Sequence, residues 1–286
     1  MGVSVGVGVC VVFQPKEQRN HGFRWLHLIV AVAFSFICLS VSAAPVTAHD
    51  HALLGAGSGE QTQDAYITPV PEDEAYSLVV IGDSIGDGLW EGLTYSFRSE
   101  DAIRIVKKSR VSTGLVREDY YNWPDALESI LQEHEFQIAV VLFGTNDRQA
   151  IRTEDGTYRP GTDGWQKLYR QRVDRIMRLL REKNVAIYWV GLPIMRSPSF
   201  SRHADLVNSI VRSSADENGV RYIETWQEFA DATGRYSAYG TDLTGRKRKL
   251  RVGDGIHMTL QGYRQLAFAV QQLIAADSAV TDASNL

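Results

Sequence analysis

A serine, an asparagine, an aspartate and a histidine stand where they could carry out chemistry together in this 286-residue chain. Ser84 follows the apolar run of residues 78–81 and the turn Gly82-Asp83, and an amphipathic segment begins directly after it. This order places the hydroxyl at the end of a buried strand and the start of a helix, whose amides can stabilise negative charge. Ser84 is therefore either a nucleophile or a residue that caps the helix.

Residues 82–86 also match Gly-x-Ser-x-Gly, the nucleophile elbow of the α/β-hydrolases. That elbow normally follows several strands, whereas Ser84 ends the first strand in the alternating pattern of this chain. The position therefore argues against an α/β-hydrolase fold.

Asp254 and His257 stand three residues apart, just before a helical segment near the C-terminus. At this spacing the two side chains can meet on one turn. The carboxylate can then hold the imidazole in the tautomer whose other nitrogen accepts a proton. A lone histidine before a helix is usually structural, but the nearby aspartate and a serine elsewhere favour a catalytic triad.

Two further loops could supply hydrogen-bond donors. Gly144-Thr145-Asn146-Asp147 follows the most apolar strand, so its asparagine would lie at the same sheet edge as Ser84 and could donate to an oxyanion. An Asn-Asp turn that ends a strand is the alternative. Gly114, in the segment 112–115, could bring a backbone N–H close to a ligand, or could be only a loop glycine.

Alternating apolar runs and helical stretches must position these residues. The predicted strands are residues 77–81, 103–106, 137–143, 186–190 and 220–223. The predicted helices are residues 85–97, 125–134, 165–183, 204–218 and 260–275. Such alternation indicates a parallel sheet within one α/β domain.

Taken in order, the four motifs resemble those of the SGNH hydrolases, also called the GDSL esterase/lipase superfamily. The matching residues are 82–88, Gly114, 144–147 and 254–257, within a region of about 76–276. Residues 112–115 and 144–149 are also similar to an exported bacterial branch of uncharacterised function. The resemblance implies a three-layer α/β/α sandwich with a mainly parallel, five-stranded, flavodoxin-like sheet.

The same resemblance assigns roles to individual residues. It implies that Ser84 is the nucleophile, His257 its base and Asp254 the carboxylate that orients the base. The oxyanion hole would comprise the amides of Ser84 and Gly114 and the side chain of Asn146. The implied chemistry is two-step acyl transfer that requires no metal and no organic cofactor.

Composition restricts the classes of partner. The net charge is −4, so there is no global basic field of the kind that attracts nucleic acid. The two cysteines, Cys10 and Cys38, both precede residue 44. The rest of the chain therefore has no thiol nucleophile, internal disulfide or cysteine metal site.

The N-terminal region predicts export. Lys16, Arg19 and Arg24 precede the apolar run 26–41, and small residues follow at 42–44, which is the order of a secretory signal. An uncleaved membrane anchor is the alternative, because the apolar stretch approaches the length that spans a bilayer. Either interpretation places the working domain outside the cytoplasm, in the periplasm or cell envelope.

The domain boundaries follow from composition. We expect a signal peptide or anchor over residues 1–44 and a flexible linker over 45–75. The hydrolase domain would span 76–276, and a disordered tail would span 277–286.

For an exported member of this superfamily we expect an esterase that removes acyl, most simply O-acetyl, groups from cell-envelope or secreted polysaccharide, or from a small ester. Arg148 could contact an anionic substrate. Trp165 could stack on a sugar ring, or could be a packing residue. The basic run 245–251 could contact substrate or could be a solvated loop.

Two other functions stay open at this point. An O-acyltransferase would use the same triad with a sugar hydroxyl in place of water. A catalytically idle protein of the same fold would serve as an envelope binding or scaffold protein, although the four motifs argue against it.

Overall fold

Strands and helices alternate along the chain as the pattern predicts. The structure, a computed structural model, describes residues 65–284. The strands are β1 (Tyr76–Gly82), β2 (Ile103–Lys107), β3 (Ile138–Leu142), β4 (Ile151–Thr153), β5 (Gly156–Tyr158), β6 (Ala186–Val190), β7 (Arg221–Ile223), β8 (Tyr239–Thr241) and β9 (Lys247–Lys249). The helices are α1 (Ser84–Ser96), α2 (Trp123–Glu133), α3 (Asp163–Arg181), α4 (Pro198–Asn218) and α5 (Leu260–Ser284), with a 3-10 turn at Gln227–Phe229.

Five of these strands form one parallel sheet in the order β2-β1-β3-β6-β7. Every residue of β3 and of β6 is buried, as expected for strands that helices cover on both faces. Helix α1 packs on α5, while α2, α3 and α4 pack on one another in succession. The predicted α/β sandwich with a mainly parallel five-stranded sheet is therefore confirmed.

Two short antiparallel hairpins interrupt the alternation. β4 pairs with β5 after the Asn146 loop, and β8 pairs with β9 before the Asp254 loop. The sequence pattern does not predict either hairpin, because three-residue strands are too short to show an alternating period.

Helix α1 approaches α5 closely because two of its residues have no side chain. A Cβ on Gly88 would lie 2.0 Å from the ring of Tyr263, and a Cβ on Gly92 would lie 2.4 Å from the Tyr263 carbonyl oxygen. Ser84 begins α1, and His257 lies three residues before α5. This close packing therefore fixes the two candidate catalytic residues relative to each other.

The folded domain begins earlier than residue 76. Ile67 is buried in the core, and the hydroxyl of Tyr66 donates to the carbonyl of Ile187 at 2.6 Å. The predicted linker of residues 45–75 is therefore wrong over this segment, where two apolar side chains anchor the chain to the sheet. Residues 45–64 and the predicted signal or anchor lie outside the described residues.

The domain also ends later than residue 276. Helix α5 continues to Ser284, so the expectation of a disordered tail from 277 is wrong for the described part. Asp277 is buried and accepts a hydrogen bond from the Tyr188 hydroxyl at 2.8 Å, and Arg221 forms an ion pair with it. These contacts hold α5 against β6 and β7 beyond residue 276. Between residues 65 and 284, no helix is both long enough and apolar enough to cross a membrane.

Candidate active site

The carboxyl edge of the sheet brings Ser84, His257 and Asp254 into one hydrogen-bonded chain. Ser84 Oγ lies 2.7 Å from His257 Nε2, and His257 Nδ1 lies 2.7 Å from Asp254 Oδ2. Ser84 is partly buried, and the side chains of His257 and Asp254 are 37% and 42% exposed. The three predicted residues therefore meet at the surface, with the geometry of a nucleophile, a base and a carboxylate that orients the base.

The cap of helix α1 is Asp83 and not Ser84. The Asp83 carboxylate accepts the N–H of Ile85 at 2.9 Å and both the N–H and the hydroxyl of Thr145, at 3.0 and 2.5 Å. Burial raises the pKa of Asp83, against the lowering effect of these hydrogen bonds. Because Asp83 already serves as the cap, the Ser84 hydroxyl is left for His257, which argues against the capping interpretation of Ser84.

Asp254 is held by the turn that also carries His257. Its Oδ1 accepts the backbone N–H groups of Ile256 and His257 at 2.7 and 3.0 Å, while Oδ2 faces the imidazole. Partial burial raises the pKa of Asp254, but the hydrogen bonds from the His257 ring and from these amides outweigh it, so the pKa lies below its usual value. Gly255 permits the turn because its φ is +75°.

A buried arginine holds this turn in place from the interior of the domain. Arg251 is 0% exposed, and its guanidinium donates to the carbonyls of Ile194 at 2.7 Å and Ile256 at 2.8 Å. Burial lowers the pKa of Arg251 to about 10. The backbone N–H of Arg196 also donates to this turn, to the carbonyl of Gly255 at 3.1 Å. The loop after β6 and the triad loop are therefore joined through two arginines.

The basic run 245–251 thus divides in two. Residues 247–249 form β9 and are exposed, whereas Arg251 belongs to the interior. Sequence reasoning missed the role of Arg251 because it is one of several basic residues in the run, and the run does not show which of them is buried.

Asn146 and Gly114 lie side by side, as an oxyanion hole requires. The Asn146 side-chain amide donates to the carbonyl of Thr113 at 2.8 Å, next to Gly114. The second N–H of this amide makes no hydrogen bond within residues 65–278, so it can donate to a substrate. Gly114 and Asn146 also line one shared cavity.

Asp147 holds the Gly114 loop from within the core. Its Oδ1 accepts the Val116 N–H at 2.9 Å, and its Oδ2 accepts the hydroxyl of Tyr169 at 3.0 Å. A Cβ on Gly114 would lie 2.2 Å from Asp147 Oδ1, so a side chain would displace the carboxylate. Burial raises the pKa of Asp147 to about 6, against hydrogen bonds from the amides of Val116 and Leu115 and from Tyr169. Asp147 is thus a support for the loop, as its buried position requires.

The cavity beside Asn146 has a volume of about 210 Å³, and neither Ser84 nor His257 lines it. It is lined by Ser112, Gly114, Arg117, Tyr120, Asn146, Asp147 and Gln149. A cavity of this size fits a small group better than a long acyl chain.

Trp165 does not reach this cavity. Its indole is fully buried, stacks on Tyr169 with ring centroids 4.7 Å apart, and donates to the carbonyl of Gln149 at 2.9 Å. The expectation that Trp165 binds a sugar ring is therefore wrong, because the apolar face of α3 turns it into the core. Arg148 is exposed, and its guanidinium carbon lies 4.5 Å from the ring centroid of Phe200.

The described residues contain no cluster of three or more His, Cys, Asp or Glu side chains arranged to hold a metal ion.

The fold matches that of solved GDSL hydrolases. A lipolytic protein of the G-D-S-L family from Veillonella parvula is 14% identical over 70% of this chain and 99% of its own, with a TM-score of 0.50. LAE5, described as an alpha/beta hydrolase from the metagenome of Lake Arreo, is 16% identical over 76% and 99%, with a TM-score of 0.52. An acetylxylan esterase from Geobacillus stearothermophilus is 18% identical over 70% and 94%, with a TM-score of 0.50. The fold is thus that of the SGNH hydrolases, as the motifs predict.

Within that class, the chain belongs to the family described as "Protein of unknown function (DUF459)", whose model matches residues 77–273. A comparison with curated proteins finds no match.

Proposed function

We propose that this protein is an exported serine esterase that hydrolyses acyl esters, most simply O-acetyl esters, on cell-envelope or secreted polysaccharide. The observation that carries the proposal is the chain of two 2.7 Å hydrogen bonds from Ser84 through His257 to Asp254. Gly114 and the second N–H of Asn146, on loops at the same edge of the sheet, would supply hydrogen-bond donors for a developing oxyanion.

The proposed reaction has two steps. Asp254 accepts the Nδ1–H of His257, so Nε2 is free to take the proton from Ser84 as its Oγ attacks the ester carbonyl. The Ser84 and Gly114 amides and the Asn146 side chain stabilise the tetrahedral oxyanion. His257 returns the proton to the departing alcohol, and water then releases the acyl group through the same base.

The small size of the cavity beside Asn146 supports a short acyl group. Its volume of about 210 Å³ leaves little room for a fatty chain. A protein of similar fold, at 18% identity, is an acetylxylan esterase. Export is proposed from the signal-like N-terminal sequence.

Hydrolysis of 4-nitrophenyl acetate by the purified protein tests the proposal. We expect Ser84→Ala and His257→Ala each to lower kcat by about 10⁴-fold or more. We expect Asn146→Ala to lower kcat by about 10²- to 10³-fold with little change in KM, because it donates mainly in the transition state. Ser129→Ala, on the exposed face of α2, is the matched control and should leave turnover unchanged.

Equal turnover by wild type and Ser84→Ala would contradict the assignment. No turnover of any short-chain ester by the wild type would favour an idle binding protein. Transfer of the acyl group to an added glycan in preference to water would identify an acyltransferase with the same triad.

A further inference from the structure

Three exposed arginines flank the candidate active site, each beside a different one of its segments. The backbone N–H of Arg110 donates to the carbonyl of Gly82, at the turn that precedes Ser84. Arg148 follows Asn146 by two residues, and Arg196 donates to the triad turn as described above. The three arginines come from the loops after β2, β3 and β6, so they all lie at the carboxyl edge of the sheet.

Each of these guanidinium groups lies over an aromatic ring. The distance from the guanidinium carbon to the ring centroid is 4.5 Å for Arg110 over Tyr121 and 4.5 Å for Arg148 over Phe200. It is 5.7 Å for Arg196 over Tyr236. One N–H group of Arg196 donates to the carbonyl of Gly253 at 2.7 Å, and one of Arg148 donates to the Ser199 hydroxyl at 3.4 Å. The ring restricts the motion of each guanidinium but leaves its remaining N–H groups able to bind an anion.

None of the three forms an ion pair with a carboxylate anywhere in the described part of the chain. The contrast is Arg117, which lines the cavity but binds Asp119 through two hydrogen bonds, at 2.7 and 2.8 Å. The chain as a whole is acidic, with a net charge of −4. The loops at this edge of the sheet therefore carry three arginines that have no carboxylate partner among the described residues, in a chain whose net charge is negative.

We infer that the site accepts an anionic glycan, namely an acylated polysaccharide whose sugars carry carboxylate groups, an inference that rests on the proposed esterase function. A guanidinium matches a carboxylate in a planar, two-pronged geometry, which suits a uronic acid better than a neutral sugar. Arginines on separate loops can contact carboxylates on successive sugars while the ester lies between Ser84 and Asn146. The positive charge of these arginines also attracts a negatively charged chain toward the site.

The test compares two acetylated oligosaccharides of similar length, one of uronic acids and one of neutral xylose, by the acetate that each releases. We expect kcat/KM to be higher for the acidic substrate. We expect its advantage to fall as ionic strength rises from about 20 to about 300 mM, because salt screens exposed charges.

Arg110→Gln and Arg148→Gln should each lower the ratio of acidic to neutral kcat/KM by about fivefold, and the double variant by more. The matched control is Arg98→Gln. Arg98 is also exposed, without a carboxylate partner, and 3.9 Å above the Tyr95 ring, but it lies just beyond the far end of α1. It should leave the ratio unchanged.

The inference is overturned if the wild type cleaves the acidic and neutral oligosaccharides with similar kcat/KM, or if Arg98→Gln lowers the ratio of acidic to neutral kcat/KM as much as Arg110→Gln does. Turnover of 4-nitrophenyl acetate separates the two failures. If the wild type cleaves that ester without preferring the acidic oligosaccharide, only the inference fails. If it cleaves no ester at all, the proposed function fails.

Discussion

At the scale of single residues, the buried carboxylate of Asp147 shows how the interior supports a surface site. Asp147 fills the space that a side chain on residue 114 would need, and it holds the Val116 amide. A charged carboxylate in the core is unfavourable, and burial therefore raises the pKa of Asp147 to about 6. The candidate oxyanion loop therefore depends on a group that titrates within the physiological range.

This raised pKa predicts how stability depends on pH. An unfolded aspartate titrates near 3.8, so between about pH 4 and 6 the folded protein holds a proton that the unfolded chain has lost. The resulting stabilisation is full below the unfolded pKa and disappears as pH rises through about 6. This group should therefore raise the unfolding free energy by about 2 kcal/mol when the pH falls from about 7 to about 4.5, and a variant without it should lack this contribution.

Urea denaturation of wild type and Asp147→Asn at these two pH values measures the difference. Asp155→Asn, at the exposed turn between β4 and β5, is the matched control. The assignment fails if the Asp147 variant responds to pH as the wild type does.

At the scale of elements, the packing of α1 against α5 sets the distance between nucleophile and base. A Cβ on Gly92 would meet the Tyr263 carbonyl at 2.4 Å, and backbone cannot move aside as a flexible side chain can. Gly92→Ala should therefore separate the helices, with a loss of about 1–3 kcal/mol in unfolding free energy and a lower kcat.

Thermal unfolding and ester hydrolysis check this prediction together. Gly86→Ala, on the same helix, is the control for stability, because its Cβ would have nothing closer than 3.5 Å. If Gly92→Ala is as stable and as active as the wild type, the helix contact does not position the site.

Much of this arrangement could be predicted from sequence, and the exceptions have physical causes. Ser84 and the Asn146 loop stand directly after apolar strands, and the spacing of Asp254 and His257 allows their side chains to meet on one turn. The sequence does not decide the role of Trp165, because an aromatic residue beside a loop packs or binds depending on which helix face it occupies. It gives no sign of the role of Arg251, whose partners are backbone carbonyls distant in sequence.

At the scale of the whole molecule, the two ends of the described chain meet at the edge of the sheet opposite the site. The ring of Tyr66 makes an edge contact with Tyr188, whose hydroxyl binds Asp277 of α5. The Tyr66 hydroxyl also accepts the N–H groups of Ile187 and Arg221, at 3.2 and 3.1 Å. Such long-range contacts have no local signal, so the sequence places both domain boundaries too far inward.

Tyr66→Phe should destabilise the fold without affecting catalysis. Loss of the Tyr66 hydroxyl leaves backbone groups of β6 and β7 without a partner, which lowers the unfolding free energy by about 1–3 kcal/mol. Chemical denaturation measures the loss, and ester hydrolysis under native conditions should give an unchanged kcat. Tyr239→Phe, whose side chain is largely exposed, is the matched control. A parallel fall in kcat for Tyr66→Phe would show that this end of the sheet affects the site.

The central claim is that Ser84 is acylated during turnover, and mass spectrometry of the trapped intermediate tests it most directly. The protein is mixed with 4-nitrophenyl acetate, quenched in acid within the steady state, and digested. We expect one acetyl group on the peptide that contains Ser84, absent from Ser84→Ala and much reduced in His257→Ala. An acetyl group at another residue, or ester turnover that persists in Ser84→Ala, would contradict the account.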